Sequence, residues 1–305
     1  MTSDLTWPAG RPPIAGADSR YVAVEGVRFH VHRAGPARKR KTTPVLLLHG
    51  VPETAACWHR LMPELATDRV VIAPDLKGLG LSEARDPYDV PSLAAELAAL
   101  LMHEVEGPVD VVGHDWGGSL ALALAGARPE LVRRVVDVSG PYRQMNLLRA
   151  FHVPLFALPG LPELAFRLTG SRIVEGAFAY GWKSREALPD GVREHYVDSY
   201  ADPARVDAML AYYRATTRGR ALAAVGAAVA REDRSDAPPT KVRAERSLVV
   251  WGAADPIIAL SDGEAVVRDL GASASMLSLP GVGHWPVEEA ADVVVPAIAE
   301  FLRAD

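Results

Sequence analysis

The sequence predicts an α/β fold, with a mostly parallel central sheet, helices on both faces and an inserted α-helical segment. Three observations predict it. Short β-branched runs alternate with amphipathic stretches up to about residue 140. The same rhythm resumes after about residue 240. Between them no strand pattern occurs, and aromatics and helix formers dominate among breaks at Pro154, Pro159, Pro162, Pro189 and Pro203. This divides the chain into an irregular N-terminal arm (1–20), a core (21–140 and 241–305) and a helical cap with its connector (141–240).

The elements follow in order. Tyr21–Glu25 and Val27–Arg33 read as a hairpin joined at Gly26. Val45–His49 is a continuous apolar run, the mark of a strand buried on both faces. Cys57–Ala66 reads as helix, Val70–Ala73 as strand, Leu93–Val105 as helix and Val109–Val112 as strand. Ser119–Ala127 is helical and Arg134–Val138 a strand. In the insertion, Asp202–Thr217 reads as a helix, because Asp202 can cap it and Pro203 suits the first turn. Ala221–Ala230 is a second good helix, and Arg231–Arg246 a polar connector. Strand Leu248–Trp251, helix Gly263–Leu270, strand Ser275–Leu279 and a final helix near Val287–Leu302 complete the chain.

Composition limits the function classes. A net charge of −5, with one short basic run at Arg38–Lys41, gives no stripe for nucleic acid. The single Cys57 forbids an intrachain disulfide and fits a reducing cytoplasm; we read it as a buried small hydrophobe. No signal peptide is evident at the start, and no apolar run suits a membrane span. No His, Asp or Glu cluster has metal-ligand spacing, so neither metal nor other cofactor is expected. A homodimer is left open.

The chemistry centres on Gly113-His114-Asp115-Trp116-Gly117-Gly118. A strand runs into it and a helix follows at once, which is the context of a G-x-nucleophile-x-G elbow. The turn places Asp115 at a helix N-terminus, where an ionised carboxylate is favoured. A carboxylate attacking an ester would form a high-energy anhydride. Attack on a saturated carbon bearing a leaving group forms an ordinary ester, which water can cleave. Asp115 therefore points to epoxides or alkyl halides.

The partners follow in chain order. The backbone N–H groups of Val51, in His49-Gly50-Val51-Pro52, and of Trp116 suit an oxyanion hole. Asp75 opens a turn and is read as structural. His284, after the last strand and between Gly283 and Trp285, is the candidate base. Asp255, after the preceding strand, is its acid; Asp137 is the rival. His49 and His114 take hydrogen-bonding roles, while His30, His32, His59, His103 and His195 are read as surface or packing residues.

These motifs, from about Tyr21 to the C-terminus, resemble the epoxide hydrolases of the α/β-hydrolase fold and their haloalkane and haloacetate dehalogenase relatives. The resemblance implies two cap acids, usually tyrosines, that hold the epoxide oxygen. Val206, Met209, Leu210 and Tyr213 share one helical face, so Tyr213 points inward and Tyr212 is turned away by roughly 100°. The family's first cap tyrosine stands seven residues before a Pro-Gly pair; here that place, before Pro159-Gly160, holds His152. A histidine can also hold or donate a proton. The expected pair is His152 and Tyr213, with Trp116 also in contact with substrate. Val51 where many haloalkane dehalogenases carry Asn, and Trp116 where haloacetate enzymes carry Arg, count against the dehalogenase alternative. A non-catalytic binding protein is the remaining alternative. Cap aromatics such as Phe151, Phe156 and Phe166 suggest a small hydrophobic epoxide, with water as the second reactant.

Overall fold

The computed structural model describes residues 14–36, 41–142, 146, 148–184, 188, 191–230, 242 and 244–304. Most of the expected N-terminal arm, most of the basic run, Pro189 and most of the connector lie outside the described residues.

Eight strands form one sheet: β1 (Asp18–Val24), β2 (Val27–Ala34), β3 (Val45–Leu48), β4 (Val71–Pro74), β5 (Val109–His114), β6 (Val132–Val138), β7 (Arg246–Gly252) and β8 (Ala274–Leu279). Their order is β1-β2-β4-β3-β5-β6-β7-β8. The β1/β2 and β2/β4 pairs are antiparallel and the rest parallel. Glu25 and Gly26 close the β1–β2 hairpin with φ of 50° and 75°. That is the left-handed pair a two-residue turn requires. β3, β4 and β5 are buried at every position, which for β3 is what its continuous apolar run predicts.

The helices are α1 (Leu61–Leu65), α2 (Val90–Glu104), α3 (Trp116–Ala127), α4 (His152–Ala157), α5 (Leu161–Thr169), α6 (Arg172–Gly181), α7 (Val192–Ser199), α8 (Pro203–Ala230), α9 (Leu260–Leu270), α10 (Pro286–Glu289) and α11 (Ala291–Arg303). They cover both faces of the sheet. Helices α4–α8 are inserted between β6 and β7.

Several boundaries differ from the sequence expectation. The stretch expected as one helix over Cys57–Ala66 is a 3₁₀ turn (Ala55–Trp58) followed by α1. Pro63 lacks the N–H that would continue a ladder back to residue 59. The two helices expected at Asp202–Thr217 and Ala221–Ala230 are one, α8. Asp202 accepts from Ala204 N at 3.0 Å, as expected of its cap. The final helix is split at Ala290 into α10 and α11. The split lets the Glu289 carboxylate turn back under the preceding loop.

The absence of a metal-like cluster also needs correction. His30, His32 and Asp75 place ligand atoms within 4.8 Å of one another, all buried. His30 and His32 are two apart on β2, so they share a face, and Asp75 follows the paired strand β4. Their separation along the chain hid this. Asp75 is already occupied: Oδ1 accepts from Ala55 N at 2.9 Å, and Oδ2 from Leu81 N at 3.0 Å, with His30 Nδ1 at 2.9 Å. These bonds tie β2, β4 and the following turn together. Asp75 is therefore structural, as expected, and His30 and His32 are packing rather than surface groups.

Candidate active site

The elbow between β5 and α3 holds Asp115 at φ 48° and ψ −119°, an unusual conformation for a residue with a side chain. Glycine makes the turn possible on either side. A Cβ on Gly113 would lie 2.1 Å from Gly117 O, and one on Gly117 would lie 2.1 Å from Leu48 O. The elbow is thus pressed against the end of β3, which brings the next loop to the carboxylate. Val51 N donates to Asp115 Oδ2 at 3.1 Å, and the Trp116 backbone N–H also serves this carboxylate. The Val51–Pro52 bond is cis.

His284 Nε2 lies 3.4 Å from Asp115 Oδ1, and His284 Nδ1 lies 2.7 Å from Asp255 Oδ2. Asp255 Oδ1 accepts from Ile257 N at 2.7 Å and Ile258 N at 3.0 Å, which fixes the carboxylate that orients the ring. Burial opposes charge on both members of the Asp115–His284 pair, but their mutual contact prevails. Asp115 is held below the ordinary carboxylate range. His284 is raised well above an ordinary histidine, by Asp255 and then Asp115. At rest the pair is an ion pair.

Asp137, the rival acid, is on strand β6 and completely buried. Among the described residues neither of its oxygens has hydrogen-bond geometry to a partner. Burial pushes its carboxyl up to about 7, against an opposing effect of the Gly140 backbone. Asp255, not Asp137, makes the bond to His284.

Tyr213, His152 and Trp116 meet Asp115 in one place. All four line a cavity of about 260 Å³ that runs along α3 toward Tyr142 and Thr216. Asp115, Tyr213 and His152 also line a second cavity of about 330 Å³, walled by Phe156, Phe166 and Ile173. The site is therefore two-lobed, with the Tyr213–His152 pair between the lobes. The two rings meet edge to face at 5.6 Å, and Tyr213 meets Trp116 in the same way at 5.7 Å. Burial, then the Asp115 charge, raises the Tyr213 phenol, so it stays protonated. Burial lowers His152 to about 4, so it is neutral. Tyr212 is turned away as expected, and donates to Lys77 O at 2.9 Å.

Two supporting carboxylates escaped the sequence reading. Glu53 Oε2 lies 2.7 Å from His114 Nδ1, while His114 Nε2 lies 2.8 Å from His284 O. Both ring nitrogens of His114 face acceptors, which suits a cation. Its pKa is raised accordingly, with Glu53 outweighing burial. Glu289 accepts four backbone N–H groups: Gly283, Lys183 and Ser184 on Oε2, and Trp285 on Oε1, at 2.7–3.0 Å. It therefore clamps both sides of His284 and ties them to the end of α6.

The comparisons agree with this architecture. A family model described as the α/β hydrolase fold matches residues 43–291, and the chain belongs to that family. It is similar to the AB hydrolase superfamily protein YfhM of Bacillus subtilis, at 26% identity over 94% of this chain and 99% of that protein. It is also similar to Epoxide hydrolase 4 of Mus musculus, at 24% identity over 93% and 79%. Among solved structures, Cfl2 of Burkholderia cenocepacia superimposes with a TM-score of 0.79 over 96% and 98% of the chains at 24% identity, a likeness of fold. Among the described residues no helix is long and apolar enough to cross a membrane.

Proposed function

We propose that this α/β hydrolase opens epoxides to vicinal diols through a covalent ester on Asp115. One observation carries the reading: an ionised carboxylate on the elbow shares its cavity with a protonated phenol, Tyr213, and the neutral imidazole of His152. Helices α4–α8 act as the cap that brings these two groups over the elbow.

In the first step an Asp115 oxygen attacks one ring carbon, and that carbon's bond to the ring oxygen breaks. The alkoxide takes a proton from Tyr213 and a hydrogen bond from His152. Tyr213 is reprotonated at the expense of the His284 imidazolium. Esterification removes one of the two anions that held the proton on His284, so the ring can now serve as a base. It deprotonates water, which attacks the ester carbonyl. Val51 and Trp116 N–H groups stabilise the oxyanion. The intermediate collapses, the leaving alkoxide takes the proton from His284, and the Asp115 proton returns to His284. Epoxide and water become a diol and the resting ion pair is restored.

Halide displacement would use the same Asp115 but leaves an anion that needs no proton, so it makes no use of Tyr213 as a proton donor. Incubation with styrene oxide and, separately, 1-bromobutane tests the choice. Diol without bromide is expected; bromide release without diol refutes the reading, and turnover of neither favours a binding role.

A further inference from the structure

Two consecutive helices of the insertion turn large apolar side chains to solvent. Phe151, Leu155 and Leu158 recur at i, i+4 and i+7 along α4 and its flanks, and Leu161, Leu164 and Leu168 at i, i+3 and i+7 along α5. All six are between 39% and 77% exposed. An apolar stripe of this period normally faces a core. Here the core side is already supplied by Val153, Pro162 and Phe166, which are buried. The outward stripes are a second apolar face on two helices that pack against each other. Contiguous exposed apolar surface of this kind marks an interaction site.

Two further observations say what covers it. The patch is continuous with the cavity, because Phe151, Leu155 and Leu161 line the 330 Å³ space and are themselves exposed, forming its mouth. A second copy of this chain seated there would seal that mouth. Charge also differs locally. Residues 148–184 carry four exposed cations, Arg149, Arg167, Arg172 and Lys183, against two acids, Glu163 and Glu175, although the whole chain is at −5. Glu163 is paired with Arg214 at 2.8 Å. An exposed apolar face in a stretch of chain with an excess of exposed Arg and Lys is the composition that suits a lipid interface with anionic headgroups.

We propose that the α4–α5 face docks on an anionic lipid surface and opens the cavity toward it. The docking does not depend on the reaction catalysed.

The test uses the full chain with vesicles of phosphatidylcholine plus phosphatidylserine, and with phosphatidylcholine alone, in a flotation assay. Leu164 and Leu168 are absent from the cavity wall, so the double variant Leu164→Glu/Leu168→Glu probes the face alone. The wild type should float with anionic vesicles, and about tenfold less at high salt or with neutral lipid. The double variant should lose about tenfold in binding at an unchanged melting temperature. Three results overturn the proposal: no flotation of the wild type, undiminished flotation of the variant, or a dimer in sedimentation that the variant dissociates.

Discussion

His284 Nε2 stands 3.4 Å from Asp115 Oδ1, and each group holds the other in its charged form. A resting ion pair has a kinetic consequence. Ring opening needs the Asp115 anion, which persists below the ordinary carboxylate range. Cleavage of the ester needs neutral His284, whose proton Asp255 still favours. As pH falls, hydrolysis should therefore slow before alkylation does. Rapid-quench measurements with a good epoxide should show the alkyl-enzyme accumulating at about pH 5 more than at about pH 8. Equal accumulation at both would mean that His284 is not the base.

The oxygen-holding pair predicts a graded loss. Tyr213→Phe removes the proton donor and should lower kcat/KM about 10²-fold or more. His152→Ala should cost less, because a neutral imidazole contributes one hydrogen bond. Steady-state kinetics of both variants and of the double variant check this. If Tyr213→Phe were as active as the wild type, the proton would have to come from elsewhere.

Asp255→Asn keeps the size of the acid but presents an amide to His284 Nδ1. The ring then loses both its tautomer control and its counter-charge. The turnover rate should fall by about 10²–10⁴-fold, mostly in ester hydrolysis, as in other triads with this substitution. Asp137→Asn should leave turnover far less affected.

Asp137 makes a separate prediction about stability. Its carboxyl titrates near 7 in the fold against an ordinary value of 3.8. A raised acid pKa means that the folded state binds the proton more tightly than the unfolded chain. Stability from this group is thus complete below about 4 and is lost as pH rises toward about 7. Asp137→Asn removes that loss, so its melting temperature relative to wild type should be higher at pH 8 than at pH 4. A constant difference across that range would show that Asp137 is not the titrating group.

How much of this was legible in the sequence depends on range. The elbow, His284 and Asp255 could be read because each follows its own strand within a few residues, and the strands show as apolar runs. Tyr213 was legible from helical period. Glu53 and Glu289 were not, because their partners are main-chain amides and a histidine that only the folded chain gathers. Glu289 joins Gly283 and Trp285 of its own neighbourhood to Lys183 and Ser184, more than a hundred residues earlier in the chain. The His30–His32–Asp75 cluster was hidden for the same reason, since pairing of β2 with β4 creates it. Asp137 looked like a rival acid because sequence cannot show on which side of a strand end a carboxylate is buried.

Glu289→Gln tests the hidden clamp. It removes the negative charge that four backbone amides share and turns one oxygen into a donor facing donors. A stability loss of about 2–3 kcal/mol is expected, with kcat falling more than KM rises. Denaturant unfolding and steady-state kinetics report the two effects. Wild-type stability in this variant would remove Glu289 from the account.

The central claim is a covalent bond between substrate and Asp115, and one measurement reaches it directly. His284→Gln should still permit ring opening but not hydrolysis. Intact-mass analysis after incubation with styrene oxide should show an adduct equal to the whole epoxide, and peptide mapping should place it on Asp115. A good substrate that leaves the protein mass unchanged, or an adduct on another residue, would contradict the account.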